Sequence, residues 1–223
     1  MKFGTFFRTL KLLPLVLASN IAVANEEIPT STIEGLQLIK DSNLALVYAE
    51  PGADLGQYNR IYLDDAYISF RKNWQRDQSR HSPHKILAED MARMKAELAL
   101  LFREVFSRTL EEGGYELVTE RAEDVLLIKP AIINLDVFAP DTMDANRGNS
   151  FTETAGEMTL YLELYDSVTD DLIAKALDRK KDRETGYFQW QTRITNRAAA
   201  NRILQVWANV LKEGLDEARG SND

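Results

Sequence analysis

Apolar residues recur at two different periods along this chain, and the change from one period to the other sets out its elements. Leu87, Met91, Met94, Leu98, Leu101, Val105 and Thr109 follow steps of three and four, the spacing that holds one stripe of a helix against a core. Ser82-Pro83 ahead of them supplies a cap and a first-turn proline, and Gly113-Gly114 supplies a stop, so the pattern predicts one long amphipathic helix. Ala199, Ile203, Val206, Trp207, Val210 and Leu211 predict a second, ending near Gly220. Between the two helices, Met158, Leu160, Leu162 and Leu164 alternate with Thr159, Tyr161, Glu163 and Tyr165. A hairpin is predicted there, its return strand running from Leu172 to Leu177.

The remaining extended stretches are shorter or less regular. Leu36, Leu38, Leu44, Leu46 and Tyr48 read as two pieces around a turn at Asp41-Ser42-Asn43, and Arg60 to Phe70 as one strand rich in aromatic and β-branched residues. Tyr115 to Val118 is short and strand-like. Asp124 to Phe138 begins as a central strand and continues as one with a wet face, with a bulge or kink expected at Pro130, which has no N–H to give a ladder. Asp141 to Thr154 is polar and aperiodic, a mobile surface loop. With no repeat and no linker, these elements predict a single α+β domain over residues 35–223. Its sheet is largely antiparallel or mixed, and two long amphipathic helices pack on one face.

The beginning of the chain has a different grammar. Lys2, Arg8 and Lys11 precede a short apolar run from Leu12 to Ala24, and Ala22-Val23-Ala24 ahead of Asn25 is a small-residue cleavage site. At this length, and interrupted by Pro14, Ser19 and Asn20, the run falls short of the ~20 residues a membrane span needs. Residues 1–24 are therefore expected to be a signal peptide cleaved between Ala24 and Asn25, followed by a flexible segment over 25–34 and a soluble periplasmic protein. Loss of three basic and no acidic residues moves the formal net charge from −8 to −11. Nucleic acid repels such a protein, so no nucleic-acid role is expected. The cysteine count of zero excludes disulfides, thiolate metal sites, thiol catalysis and a lipid anchor attached through cysteine.

Several stretches resemble a known family. Pro51-Gly-Ala-Asp-Leu55, Phe70-Arg-Lys-Asn-Trp-Gln-Arg76, Leu126-Leu-Ile-Lys-Pro-Ala-Ile132, Gly156-Glu-Met-Thr-Leu-Tyr161, Tyr165-Asp-Ser-Val-Thr169, Asp178-Arg179 and Arg202-Ile-Leu-Gln-Val-Trp-Ala208 look like the bacterial domain-of-unknown-function family 3313. The resemblance runs from Asp41 to Arg219. It implies a Gram-negative envelope location and one α+β domain, and it carries over no catalytic or binding residue. The chain departs from the family in lacking the anchoring cysteine, and in placing Asp170 where a hairpin glycine is expected, which implies a looser or differently shaped turn.

The candidate sites are surfaces more than constellations. Arg71, Lys72, Trp74, Arg76 and Arg80 form the one basic, aromatic-bearing segment of an acidic protein. Forked guanidinium groups beside a flat ring suit an anionic ligand or partner, although charge runs are more often solvated faces. Tyr187, Phe188 and Trp190 put three aromatics ahead of the final helix, either an exposed contact patch or the plug of a core. His81 and His84 have the spacing of two metal ligands, but Pro83 lies between them, Arg80 and Lys85 flank them, and no carboxylate completes the set, so no metal site is assigned. Asp64, Asp65, Asp136, Asp141 and Asp144 match no known ligand loop or paired-carboxylate pattern.

These readings favour a non-enzymatic binding or assembly module of the cell envelope, without cofactor, whose partner is an envelope protein or an anionic small molecule. The alternatives are a small periplasmic hydrolase using carboxylates or a histidine, and a binder of an anionic small molecule. The sequence leaves the oligomeric state open.

Overall fold

The computed structural model describes residues 28–81, 85–137, 151–152, 156–181, 189–190 and 193–220. In chain order the elements are β1 (Gln37–Ile39), β2 (Leu46–Ala49), β3 (Arg60–Leu63), β4 (Tyr67–Phe70), α1 (Trp74–His81), α2 (Ala88–Glu112), β5 (Glu116–Leu117), β6 (Val125–Val137), β7 (Phe151–Thr152), β8 (Gly156–Asp166), β9 (Leu172–Lys181), β10 (Gln189–Trp190) and α3 (Arg193–Gly220). Eight strands make one mixed sheet in the order β1-β2-β9-β8-β6-β3-β5, with β4 also on β6. β6 runs antiparallel to β8 and parallel to both β3 and β4. The predicted α+β class, with a mixed sheet and two long helices, is what the chain forms, and β7 and β10 pair in a separate two-stranded sheet.

Both long helices lie on the same face. Leu98, Leu101, Phe102, Val105, Phe106 and Leu110 of α2 and Ile203, Leu204, Trp207 and Ala208 of α3 form one core with Ile61, Leu126, Ile128, Ile132, Leu160 and Leu162 of the sheet. Tyr161, Glu163 and Tyr165, which alternate with those β8 leucines, occupy the opposite face. The helices run parallel to one another: Glu104 meets Arg197, Arg108 meets Gln205 and Tyr115 meets Asp216. Removing these side chains from water is the main term that holds helices to sheet, at about 1.5–3 kcal/mol per large aliphatic or aromatic residue.

One polar contact crosses that apolar layer. Asp178 pairs with Leu160 across the sheet and so faces the helices, where it is buried. Its Oδ2 accepts from Trp207 Nε1 at 2.7 Å and lies 3.1 Å from Lys180 Nζ, and its Oδ1 accepts from the Ala45 N–H at 3.0 Å. A buried carboxylate without partners would be very costly, and this one joins α3, β9 and the entry to β2.

The structure corrects several details of the sequence reading. Arg60 to Phe70 is two strands, since the chain leaves the sheet at Asp64-Asp65-Ala66 and returns further along β6. The expected irregularity at Pro130 is absent, and the β6–β8 register is continuous from Leu126 to Ile133. Ile128 accepts from Asp64 on the β3 side, so two residues on Pro130 turns its nitrogen to that same side, into the gap between β3 and β4 where no strand asks for an N–H. The bulge falls instead at Asn134, whose φ of 53° is left-handed. α2 begins at Ala88, where Asp90 accepts from the Leu87 N–H; Ser82 and Pro83 lie outside the described residues.

Two further stretches read as loose prove tied down. Residues 28–34 of the supposedly flexible segment fold back: Tyr48 Oη donates to Pro29 O at 2.8 Å, Leu38 N–H donates to Thr30 O, and Glu34 meets Lys175 Nζ at 2.6 Å. Phe151 and Thr152, within the expected loop, pair with Trp190 and Gln189. In the β8–β9 turn Asp170 itself adopts a left-handed φ of 58°, the conformation a glycine would supply, and Arg121 holds its carboxylate at 2.8 Å.

Asp178→Ala leaves the buried Trp207 Nε1 without an acceptor and frees the Ala45 N–H, so urea unfolding should show a loss of about 2–3 kcal/mol. Asp178→Asn keeps an acceptor and should lose roughly half as much. A loss below about 0.5 kcal/mol for the alanine variant would show that the buried bridge contributes little.

Candidate functional site

The basic segment takes shape where β4 ends. Arg71 N–H donates to Leu135 O as the last rung on β6, Asn73 turns the chain at a φ of 65°, and α1 begins with Trp74. Trp74 is not the exposed flat contact the sequence offered. Its ring is 1% exposed, stacks on Phe70 with centroids 4.1 Å apart, and donates from Nε1 to Val137 O at 2.8 Å. An indole this large gains more from the core than from water, and its one polar atom has a partner there.

Arg71 is engaged as well. Its Nε donates to Asp136 Oδ2 at 2.6 Å and its Nη1 to Asp77 Oδ2 at 2.8 Å, so it ties β4, β6 and α1 together. The Arg71 guanidinium holds the Asp77 carboxyl below the usual carboxylate range, and the two carboxylates raise Arg71 further. The other cations face out. Lys72, Arg76 and Arg80 are exposed, Arg76 reaches Asp77 only at 3.4 Å, and Lys72 and Arg80 meet no counter-ion among the described residues. Gln75 Nε2 donates to Ile86 O at 2.8 Å and Ser79 Oγ accepts from Ile86 N–H at 3.3 Å, which brings exposed Lys85 and Leu87 alongside. The result is a cationic corner on a rigid base.

The remaining candidates do not converge. Asp136 is spent on Arg71, Asp65 on Arg103 at 2.6 Å, and Asp64 accepts from the Asp65 N–H; Asp64 and Asp65 lie in the β3–β4 connection, not on a strand. The backbone of His81 closes α1. Trp190 is described only as a β10 residue opposite Phe151. Tyr187, Phe188, His84, Asp141, Asp144, Ala24 and Asn25 lie outside the described residues. Among the described residues no three His, Cys, Asp or Glu side chains stand close enough together to hold a metal ion.

A second polar cluster, which the sequence presented only as the wet face of a strand, lies on the sheet surface away from the helices. Glu163 accepts from Tyr161 Oη at 2.6 Å and from Tyr165 Oη at 2.9 Å. Lys175 lies 4.0 Å from Glu163, and Lys129 Nζ sits 4.3 Å from the Tyr165 ring centroid. Burial first, and then the Glu163 carboxylate, pushes Tyr165 up to about 12 and Tyr161 higher still. Both phenols stay protonated near neutral pH and act as donors, so neither supplies a phenolate base. Only the i, i+2, i+4 spacing of Tyr161, Glu163 and Tyr165 on β8 hinted at this grouping.

The fold and these surfaces define an α+β domain with a long-helix layer on one side of its sheet. The chain belongs to the family described as "Protein of unknown function (DUF3313)", whose model matches residues 34–211. No curated protein matches it. Among solved structures it is similar to a PelC dodecamer from Paraburkholderia phytofirmans (10% identity, 74% of this chain and 96% of that one, TM-score 0.40). It is also similar to a DUF4136-family protein from Bacteroides thetaiotaomicron (11%, 79% and 96%, TM-score 0.35), and to a DUF330-family protein from Xanthomonas campestris (11%, 72% and 88%, TM-score 0.36). Likenesses at this level say nothing of ligand or assembly.

Absorbance titration should show Tyr161 and Tyr165 ionising above the ordinary value of 10.0, with Tyr165 near about 12. Raised phenol pKa values contribute stability in full below pH 10.0, and it is lost as the pH climbs through the folded-state values. Glu163→Gln should lower both pKa values while leaving them above 10.0, because burial is the larger cause. Unchanged titration in Glu163→Gln would remove the carboxylate from the account.

Proposed function

We propose that this protein is exported to the periplasm, is cut between Ala24 and Asn25, and serves there as a non-enzymatic binding or assembly module. Its cationic corner meets an anionic surface on a neighbouring envelope component. The observation that carries this reading is the division of labour at that corner. Arg71 and Trp74 fix α1 from beneath, while Lys72, Arg76 and Arg80 are held out in water on a chain of formal charge −8. Exposed cations cost less when they pair with their own acidic surface, and Lys72 and Arg80 do not pair with any described residue.

Two features of the corner favour a macromolecular partner over a small anion. Arg71, the most enclosed of these guanidinium groups, already holds two carboxylates and has little to offer a ligand. Lys72, Arg76 and Arg80 stand exposed to water, whereas small-molecule sites enclose most of their ligand. Export is supported by the leader residues, and no helix among the described residues is long and apolar enough to cross a membrane.

In-cell crosslinking followed by mass spectrometry is the test. The native protein should give crosslinks from Lys72 and Lys85 to one or a few envelope components, and Arg76→Glu with Arg80→Glu should remove most of them while the fold is unchanged. N-terminal sequencing of the purified protein should begin at Asn25. Crosslinks that survive the double substitution would refute the corner, and a chain beginning at Met1 would refute export.

A further inference from the structure

Among the described residues, exposed cations gather near one end of β6 and exposed carboxylates near the other. The cationic corner hangs from its last residues, through Asp136 and Val137. The β8–β9 turn sits at its first, where Ser167 N–H donates to Val125 O and Ser167 Oγ both accepts from and donates to the Ala122 backbone. That turn is acidic. Its cations, Arg60 and Arg121, are each tied to a carboxylate of their own, Asp124 and Asp170, and Lys129 lies over the Tyr165 ring. Glu120, Glu123 and Asp171 are left exposed with no ion pair among the described residues. The two ends are about 40 Å apart at roughly 3.3 Å per residue. With a Debye length of about 8 Å at physiological ionic strength, neither end screens the other within one molecule.

Each end also carries one exposed apolar side chain close in the chain to these charges. Val168 is 53% exposed in the acidic turn, and Leu87 is 51% exposed two residues from Lys85 and from Glu89, next to Ile86, whose backbone meets Gln75 and Ser79 of α1. The turn is a firm projection: Asp166 accepts from the N–H groups of Val168 and Thr169, and Arg121 grips Asp170. A small apolar centre with a charged rim is the usual anatomy of a contact patch, and here the two rims are opposite in sign.

We propose that the partner of the cationic corner is a second copy of this chain, whose Val168 turn docks against the segment from Lys85 to Leu87 and the exposed Arg76 and Arg80 of the neighbouring helix α1. The inference rests on the corner being a contact surface, as argued above, and adds the identity of what covers it. Because the two patches differ, the contact is head-to-tail: a joined pair keeps one free end of each kind, and the assembly either closes into a ring or grows. Individual exposed ion pairs contribute little, so the contact is weak, strengthens with local concentration and yields to salt.

Sedimentation velocity of the processed protein over a concentration series is the test. Self-association should be measurable at about 50 mM salt and at least about tenfold weaker at about 0.5 M. Arg76→Glu with Arg80→Glu should abolish it, as should Glu123→Lys with Asp171→Lys at the other end. An equimolar mixture of the two double variants should associate again, because the intact turn of one finds the intact corner of the other, a rescue that no general loss of structure would produce. A protein that stays monomeric at low salt, or a mixture that fails to associate, overturns the proposal. Binding to phosphatidylglycerol vesicles in place of self-association overturns it too, and assigns the corner to a bilayer. If the protein is monomeric and Arg76→Glu with Arg80→Glu still strips the envelope crosslinks, the second copy is wrong and the contact surface stands. If the crosslinks survive as well, both fall.

Discussion

The bond between Trp207 and Asp178 is the constraint on which the two-layer arrangement turns. Apolar burial drives α2 and α3 onto the sheet but is non-directional and fixes no register. A buried carboxylate has no such freedom: it must find donors, and here they come from the indole of α3 and the backbone leading into β2. Any sliding of α3 along the sheet that breaks the 2.7 Å contact leaves the buried indole N–H without an acceptor and the carboxylate with one donor fewer. The same carboxylate pins the N-terminal strands to β9, so the far edge of the sheet depends on a helix from the other end of the chain.

Surface behaviour follows from what the interior holds still. At the end of β6, Trp74 and Phe70 extend the apolar core to the sheet margin, and Arg71 joins three elements through two carboxylates. Arg76 and Arg80 are therefore carried on a short helix that is tied down at its start, with Lys72 just ahead of it. At the start of β6, Ser167 and Arg121 do the same for the acidic turn. On the outer face the polar groups of Tyr161, Glu163 and Tyr165 satisfy one another, which lets a solvated sheet surface keep large side chains without asking for a helix to cover them.

Elements with a strong period were legible in the chain. α2, α3 and the β8–β9 hairpin follow spacings that hydrophobic burial imposes locally, and the stop at Gly113-Gly114 works as read, with Gly114 at a φ of 82°. What the sequence could not disclose was which distant groups meet. Pro130 looked like a break because its neighbours across the sheet were unknown, and the gap between β3 and β4 accommodates it. Trp74 looked like a surface ring because nothing local announces that Val137 offers its carbonyl. Asp136 looked free until Arg71 reached it across the β4–β6 pairing. Asp178-Arg179 and the stretch around Trp207 stood out separately in the family resemblance, and only the fold shows that they touch.

The most direct measurement is a double-mutant cycle on Asp178→Ala and Trp207→Phe by equilibrium urea unfolding. A charge-assisted bond in a buried setting predicts a coupling of about 1.5–3 kcal/mol between the two substitutions. A coupling indistinguishable from zero, with the two losses simply adding, would contradict the view that this pair sets the position of the helix layer.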